Sequence, residues 1–302
     1  MNWFILALIG PLLWAVVNHI DKYLLSNQFE GKSTGSLMLF STLIAAVVLP
    51  IIYVIEPSIL GISAHNALLL IVVGILSALA VWMYLVALDE DEVSIIVPLF
   101  QTIPLFGAIF AFLFLGETLS LQQWLGCLTI IAGSMIITLE VDEEQKIRLK
   151  KKVLFFMLGS AAVFGFYETL FKVAAIDENF WVSTFWEHVG LLMVGIVLIM
   201  IPRFRRDFLS LVTKNAKSIF SLNIGSEVMT ITGNIITNYA LMLAPVALVL
   251  VVSGTQPFLV LIMGVVLTAF FPKLGKEKMT KRHMLHKSVA IIIIFIGALM
   301  LH

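Results

Sequence analysis

Apolar residues run through this chain in long stretches that are separated by short polar segments. A transmembrane helix needs about 20 mostly apolar residues to cross about 30 Å of hydrocarbon. Unpaired backbone groups cannot face lipid, so each such stretch is expected to be a helix. The pattern predicts an all-α membrane protein with ten transmembrane helices, at residues 3–25, 34–55, 66–88, 93–115, 122–140, 153–176, 181–201, 218–241, 246–271 and 284–301.

Composition excludes a water-soluble globular protein. Hydrophobic residues make up 60% of the 302 positions and charged residues 13%, and the mean hydropathy is +1.05. A soluble domain is nearer half apolar and a quarter charged. The single cysteine, Cys127, excludes an intrachain disulfide.

Lysine and arginine are confined to alternate loops. All but two of the 19 lie in loops on one side of the predicted spans, and the loops on the opposite side carry none. By the positive-inside rule the basic side is cytoplasmic, which predicts that both termini are extracytoplasmic. We attribute the basic loops to topology and expect no nucleic-acid partner. The expected location is a plasma membrane of the bacterial inner-membrane type.

The two halves of the chain repeat each other. Asn18 corresponds to Glu168 at an offset of 150 residues, and Pro104 corresponds to Pro257 at an offset of 153. Five spans per repeat is an odd number, so the second repeat is inverted relative to the first. Inverted repeats are common in transporters and place the substrate site at the repeat interface near the middle of the bilayer.

The string "FLFLGETLSLQQWLGCLTIIAG" at residues 112–133 follows a proline at position 104 in the fourth span. With that proline, the string resembles the EamA-like branch of the drug/metabolite transporter superfamily. The resemblance implies a five-helix repeat at 1–141, a basic cytoplasmic linker at 142–152 and a second, inverted repeat at 153–302. It also implies a central cavity and transport of a small metabolite, often as export.

Polar and ionisable residues inside the spans are the candidate site residues, because a charge at membrane depth costs about 2.5–3.5 kcal/mol. In the eighth span, spacings of 4, 3, 4 and 4 place five of them on one helix face, namely Asn223, Glu227, Thr230, Asn234 and Asn238. The other candidates for substrate binding are Trp14, Asn18, His19, Gln101, Tyr167, Glu168, Glu187, His188 and Gln256. Prolines predicted to break the fourth and ninth helices are Pro98, Pro104 and Pro257.

Two interpretations of Glu168 are open. Glu168 lies four residues before Lys172, so the two could form an ion pair on one helix face. Alternatively, Glu168 lines the cavity. Glu187 and His188 likewise either line the cavity or lie among the lipid headgroups. Glu227 and Glu168 are the candidates for binding a coupling proton.

Carboxylates without an equal number of cations inside the spans favour a cationic or zwitterionic substrate. The expected function is secondary active transport by alternating access, as an exporter or exchanger. A lipid transporter or flippase and a non-transporting membrane partner are the alternatives. An intramembrane enzyme is disfavoured, because no H-E-x-x-H motif occurs and the six histidines are scattered. The expected partners are a small-molecule substrate, membrane lipids and protons, with no metal and no cofactor.

Overall fold

The computed structural model describes residues 3–27, 34–90, 97–138, 151–214, 216–256, 258–260, 262–263, 266, 289, 292–297 and 299–300. Within these residues the chain is helical almost throughout, and no β-strand occurs. The all-α prediction is confirmed for this part of the chain.

Eleven α-helices are assigned over the described residues. In chain order they are α1 Trp3–Asn27, α2 Thr34–Leu43, α3 Ala45–Ile55, α4 Ala64–Glu90, α5 Ile103–Leu115, α6 Leu121–Thr138, α7 Lys151–Ala175, α8 Phe180–Met200, α9 Pro202–Lys214, α10 Ala216–Leu243 and α11 Val246–Ser253. Two 3₁₀ turns lie at Ile59–Gly61 and Val97–Thr102.

Five of the described helical segments are long and apolar enough to cross a membrane, namely Trp3–Asp21, Gly35–Ile55, Ala64–Glu90, Lys151–Ala175 and Phe180–Met200. Ile103–Leu115 and Val246–Val260 are apolar but shorter. α10 is long enough, with 28 residues, but its row of polar side chains lowers its hydropathy. Large apolar side chains such as Val54 and Leu113 lie exposed on the helix surfaces, where lipid would cover them. The chain is an integral, multi-pass membrane protein.

Each of the central helices packs against at least two others. α4 packs against α7 and α8, α1 against α10 and α11, and α5 against α7 and α11. The contact between α4 and α8 requires glycine, because a Cβ on Gly74 would collide with the backbone oxygen of Glu187. A Cβ on Gly190 would likewise collide with the backbone oxygen of Ile71. This close approach fixes the backbone of Glu187 against α4.

The predicted fourth and ninth spans are only partly described. Pro98 lies in the 3₁₀ turn Val97–Thr102, and Pro104 lies in the first turn of α5, where proline is tolerated. Pro257 lies outside the described residues. The described part of the fourth span consists of this 3₁₀ turn followed by α5, which begins at Ile103.

The predicted spans 181–201 and 218–241 place the arginine-rich residues 203–206 in a loop, and the structure corrects this expectation. They belong to α9, which begins at Pro202, a favoured first position of a helix. Phe208 on this helix packs against Phe40 of α2, with ring centroids 4.7 Å apart, while Arg203, Arg205 and Arg206 are exposed. Phe204 and Phe208, four residues apart, share one face of this helix, so the segment is an amphipathic helix.

Candidate functional site

A cavity of about 200 Å³ lies between α1, α2, α4, α7, α8, α10 and α11. The structure brings ten of the predicted site residues together in its wall: Trp14, Asn18, Tyr167, Glu168, Glu187, His188, Glu227, Thr230, Asn234 and Gln256. This volume is smaller than the 300–1,000 Å³ usual for drug-sized ligands, so the cavity suits a small molecule.

Three predicted site residues with described side chains do not line the cavity, namely His19, Asn223 and Asn238. Asn238 is buried and donates a hydrogen bond to Glu187, and Asn223 is buried outside the cavity wall. Nε2 of His19 lies 3.1 Å from the backbone oxygen of Val260. The side chain of Gln101 is outside the described residues. The five polar residues on one face of α10 thus extend beyond the cavity. At the ends of this row, Asn223 and Asn238 are buried between helices.

Glu168 and Glu187 form what we call the first carboxylate pair. The two side chains are close enough for their charges to interact. Nδ2 of Asn238 donates to Oε2 of Glu187 at 3.0 Å. Oε2 of Glu168 is buried without a hydrogen-bond partner among the described residues. The first pair therefore offers a free, desolvated acceptor.

His188 lies beside the first pair in the cavity wall. Its Nδ1 is 2.8 Å from the backbone oxygen of Thr184, which can only accept a hydrogen bond. Nδ1 therefore carries the hydrogen, and in the neutral ring Nε2 is an acceptor. His188, too, presents an acceptor rather than a donor.

Asp21 and Glu227 form the second carboxylate pair, and their charges also interact. Ser41 donates from Oγ to Oε1 of Glu227 at 2.5 Å. Ser226 donates from Oγ to Oδ1 of Asp21 at 3.4 Å, a weaker contact. Both carboxyl groups line the cavity.

Aromatic rings form much of the remaining wall. Phe100 packs against Tyr84, with centroids 5.1 Å apart, and edge-on against Phe164 at 5.7 Å. Trp14 lies against α10 at Gly233, where a Cβ would come within 2.7 Å of the indole Nε1. Gly233 lies between Glu227 and Asn238 on that helix, so Trp14 is placed between the levels of the two carboxylate pairs.

Lys172 binds Glu117 rather than Glu168. Its Nζ lies 2.6 Å from Oε1 of Glu117 and 2.7 Å from the backbone oxygen of Ala244. Oε2 of Glu117 accepts from the backbone N–H of Val246 at 2.8 Å, in the first turn of α11. Lys172 is therefore held outside the cavity, and no lysine or arginine occurs among the described lining residues.

The "GE" of the string at 112–133 explains how Glu117 reaches this position. α5 ends at Gly116, whose φ of 65° is left-handed and favours glycine. The N–H groups of Gly116 and Glu117 then bind the backbone oxygens of Phe112 and Ala111. This C-terminal cap turns Glu117 towards α7 and α11.

Buried polar atoms without a hydrogen-bond partner are few among the described residues, namely Nδ2 of Asn18, Oε2 of Glu168 and Oγ1 of Thr237. All three residues line the cavity. Buried polar groups are normally hydrogen-bonded, so these atoms are the natural contacts of a ligand or of water.

The predicted candidates omitted two residues of this region. Asp21 is one member of the second carboxylate pair, and Ser41 donates a hydrogen bond to the other member, Glu227. Asp21 lies near the end of its predicted span, where a solvated side chain is the ordinary expectation. A serine within an apolar span is common and carries no charge. The adjacent polar pair Ser41–Thr42 in an otherwise apolar segment was the available signal.

Comparison with solved structures supports the fold. A crystal structure aligns with a TM-score of 0.67 over 99% of this chain and 95% of its own length, at 15% sequence identity. At that identity the likeness concerns the fold alone. A search of curated proteins found no match.

The family comparison concerns the first part of the chain. Residues 1–139 match the EamA-like transporter family, which confirms the predicted resemblance there. Members of this family are transporters rather than enzymes. The match to the EamA-like transporter family, within the drug/metabolite transporter superfamily, thus covers the first 139 of the 302 residues.

Proposed function

We propose that this protein is a secondary active transporter that moves a small cationic or zwitterionic metabolite by alternating access, as an exporter or exchanger. The family match supports transport. The observation that carries the substrate class is the cavity wall, which holds four carboxyl groups and no described lysine or arginine. A cation entering this cavity meets opposite charge at both pairs, whereas an anion meets repulsion.

We also propose that the chain forms ten transmembrane helices in two inverted repeats, at 1–141 and 153–302. In this scheme α1 corresponds to α7 and α4 to α10. α11 corresponds to residues 93–100 of the fourth span, because Pro104 corresponds to Pro257 at an offset of 153. The packing of α1 on α10 then has its counterpart in that of α4 on α7. The packing of α1 on α11 likewise has its counterpart in that of α7 on the 3₁₀ turn Val97–Thr102. These paired contacts support the two-fold relation between the repeats.

Protons are the proposed coupling ion, with Glu168 and Glu227 as the groups that bind them. An unpaired carboxylate in a desolvated cavity is costly. A proton that binds when the substrate cation leaves removes that cost. Exchange of a cation for a proton at the same carboxylate then couples the two fluxes.

The test is uptake into liposomes. Purified protein is first screened for thermal stabilisation by a panel of cationic, zwitterionic and anionic metabolites, and each hit is then measured in proteoliposomes with an internal pH dye. We expect saturable uptake with opposite proton movement, both lost in Glu168→Gln and Glu227→Gln. Glu90→Gln is the matched control, because Glu90 binds Lys152 at the exposed end of α4.

Three outcomes would contradict the proposal. Uptake that does not saturate with substrate would indicate a channel. Phospholipid movement between leaflets without metabolite uptake would indicate a lipid transporter. Full, proton-linked activity in both glutamine variants would remove the carboxylates from the mechanism.

A further inference from the structure

The cavity wall contains two carboxylate pairs. Charge interactions link Glu168 with Glu187 and Asp21 with Glu227. A single ammonium group needs only one such pair. We propose that the transported substrate is an elongated dication of the polyamine type, with one ammonium group at each pair. This inference rests on the proposed transport function and narrows its substrate class.

The strongest indication of a bound cation is Oε2 of Glu168. Glu168 is 6% exposed, lines the cavity and leaves this oxygen without a hydrogen-bond partner among the described residues. Two carboxylates whose charges interact repel each other, and a cation between them replaces repulsion with attraction. An ammonium group supplies the missing donor as well as the charge.

The second pair is also prepared for a cation. Ser41 holds one oxygen of Glu227, and Ser226 holds one oxygen of Asp21. Among the described residues no hydrogen bond to the second oxygen of either carboxyl group occurs, and this oxygen can accept one from a ligand. The serine donors orient both groups within the same cavity wall.

The separation of the pairs follows from α10. Glu187 is bound at Asn238, which lies 11 residues beyond Glu227 on the same helix. At 1.5 Å per residue this is ~16 Å along the axis. A charge-assisted hydrogen bond of ~2.8 Å at each end then leaves ~11 Å between the two ammonium nitrogens of a ligand that reaches both levels.

This distance selects the length of the ligand. An extended chain advances roughly 1.2 Å per covalent bond. Spermidine and 1,8-diaminooctane, with nine bonds between their terminal nitrogens, span ~11 Å, and 1,4-diaminobutane spans only ~6 Å. A molecule of the longer kind reaches both pairs, and the shorter one reaches a single pair.

The wall between the pairs suits a methylene chain. Trp14 lies between the levels of the two pairs, and the rings of Tyr84, Phe100 and Phe164 supply apolar surface. Oγ1 of Thr237 is a further unpartnered acceptor among the described residues, available to an N–H group. Asn18 offers a donor at Nδ2 and takes no part in binding the cation.

The test compares ligands that differ in one property each. Binding to purified wild-type protein is measured for 1,8-diaminooctane, spermidine, 1,4-diaminobutane and 8-amino-1-octanol. The amino alcohol matches the long diamine in length and lacks one charge. We expect 1,8-diaminooctane, and spermidine through its two terminal ammonium groups, to bind at least tenfold more tightly than the amino alcohol and the short diamine. Spermidine carries a third ammonium group between its ends.

Variants then test each end separately. Glu187→Gln alters the first pair and Asp21→Asn the second. Each is expected to reduce the preference for the long diamine over the amino alcohol to less than threefold. Glu90→Gln, outside the cavity, is expected to retain the full preference. The ligand series on the wild-type protein needs no variant, so it decides the matter even where a variant fails to fold.

Two results would overturn the inference. Equal binding of the long diamine and the amino alcohol would show that one carboxylate pair suffices, and it would leave the proposed transport of small cations standing. Binding and uptake of a neutral or anionic metabolite, with no amine bound, would overturn both the dication and the cationic substrate class.

Discussion

Replacing Lys172 with methionine tests whether burial or distance sets the strength of an ion pair in this fold. Lys172 and Glu117 lie 2.6 Å apart, and their side chains are only 10% and 18% exposed. Lys152 and Glu90 lie 2.5 Å apart, with exposures of 55% and 38%. The two ion pairs thus have nearly the same N–O distance, but one is mostly buried and the other is exposed.

The magnitude follows from the contacts that each variant removes. Lys172→Met removes the bonds to Glu117 and to the backbone oxygen of Ala244, and it leaves a partly buried carboxylate without its cation. Removing one partner of a buried pair costs about 3–5 kcal/mol. Because some exposure remains, we expect a loss of ~3 kcal/mol in the free energy of unfolding. Lys152→Met breaks an exposed pair, for which the expected loss is ~0.5 kcal/mol.

The assay is thermal unfolding of the purified protein in one detergent at one pH. With ~2 °C per kcal/mol for a chain of this size, Lys172→Met should lower Tm by roughly 6 °C and Lys152→Met by about 1 °C. Glu117→Gln and the double variant with Lys172→Met complete a thermodynamic cycle. We expect a coupling energy of about 2 kcal/mol between Glu117 and Lys172.

Equal shifts for the buried and the exposed lysine would refute this reasoning, because distance alone would then determine the contribution. Additive losses in the cycle would also refute it, since Glu117 and Lys172 would then act independently.

Two further predictions use thermal unfolding. Gly74→Ala should lower stability by ~2 kcal/mol or more, because its Cβ meets the backbone oxygen of Glu187. Gly225→Ala, also within a helix but with no atom within 4 Å of its Cβ, should be neutral or stabilising by up to ~1 kcal/mol; equal effects would contradict the packing. Hydrogen bonds from Ser58 lower the pKa of Glu56, so their stabilisation is present near neutral pH and lost as the pH falls through that lowered pKa. Ser58→Ala should therefore reduce the fall in Tm on acidification. An unchanged dependence of Tm on pH in the acidic range would count against this prediction.

Helical periodicity predicted which residues share a face but not what each face meets. The spacing along α10 correctly grouped five polar residues, of which Glu227, Thr230 and Asn234 line the cavity. Asn238, on the same face, is used to hold Glu187. Whether a polar residue on this face lines the cavity or bonds to another helix depends on which helix lies opposite it. The periodicity of one segment carries no information about its neighbours.

Pairing between distant segments was the least predictable feature. The spacing of Glu168 and Lys172 allowed an ion pair within one helix, and Lys172 instead binds Glu117, 55 residues away in sequence. That contact depends on how α7 packs beside the end of α5. The string containing Glu117 identified the family, and only the tertiary structure connects Glu117 to Lys172.

The two oxygens of Glu117 link three separate segments of the chain. Oε1 binds Lys172 at the end of α7, and Oε2 binds the N–H of Val246 at the start of α11. Glu117 itself is fixed to the end of α5 by the cap at Gly116. A rigid-body motion that separates α7 from α11 at this end must break at least one of these bonds. While they hold, the ends of α5, α7 and α11 move together as one mechanical unit.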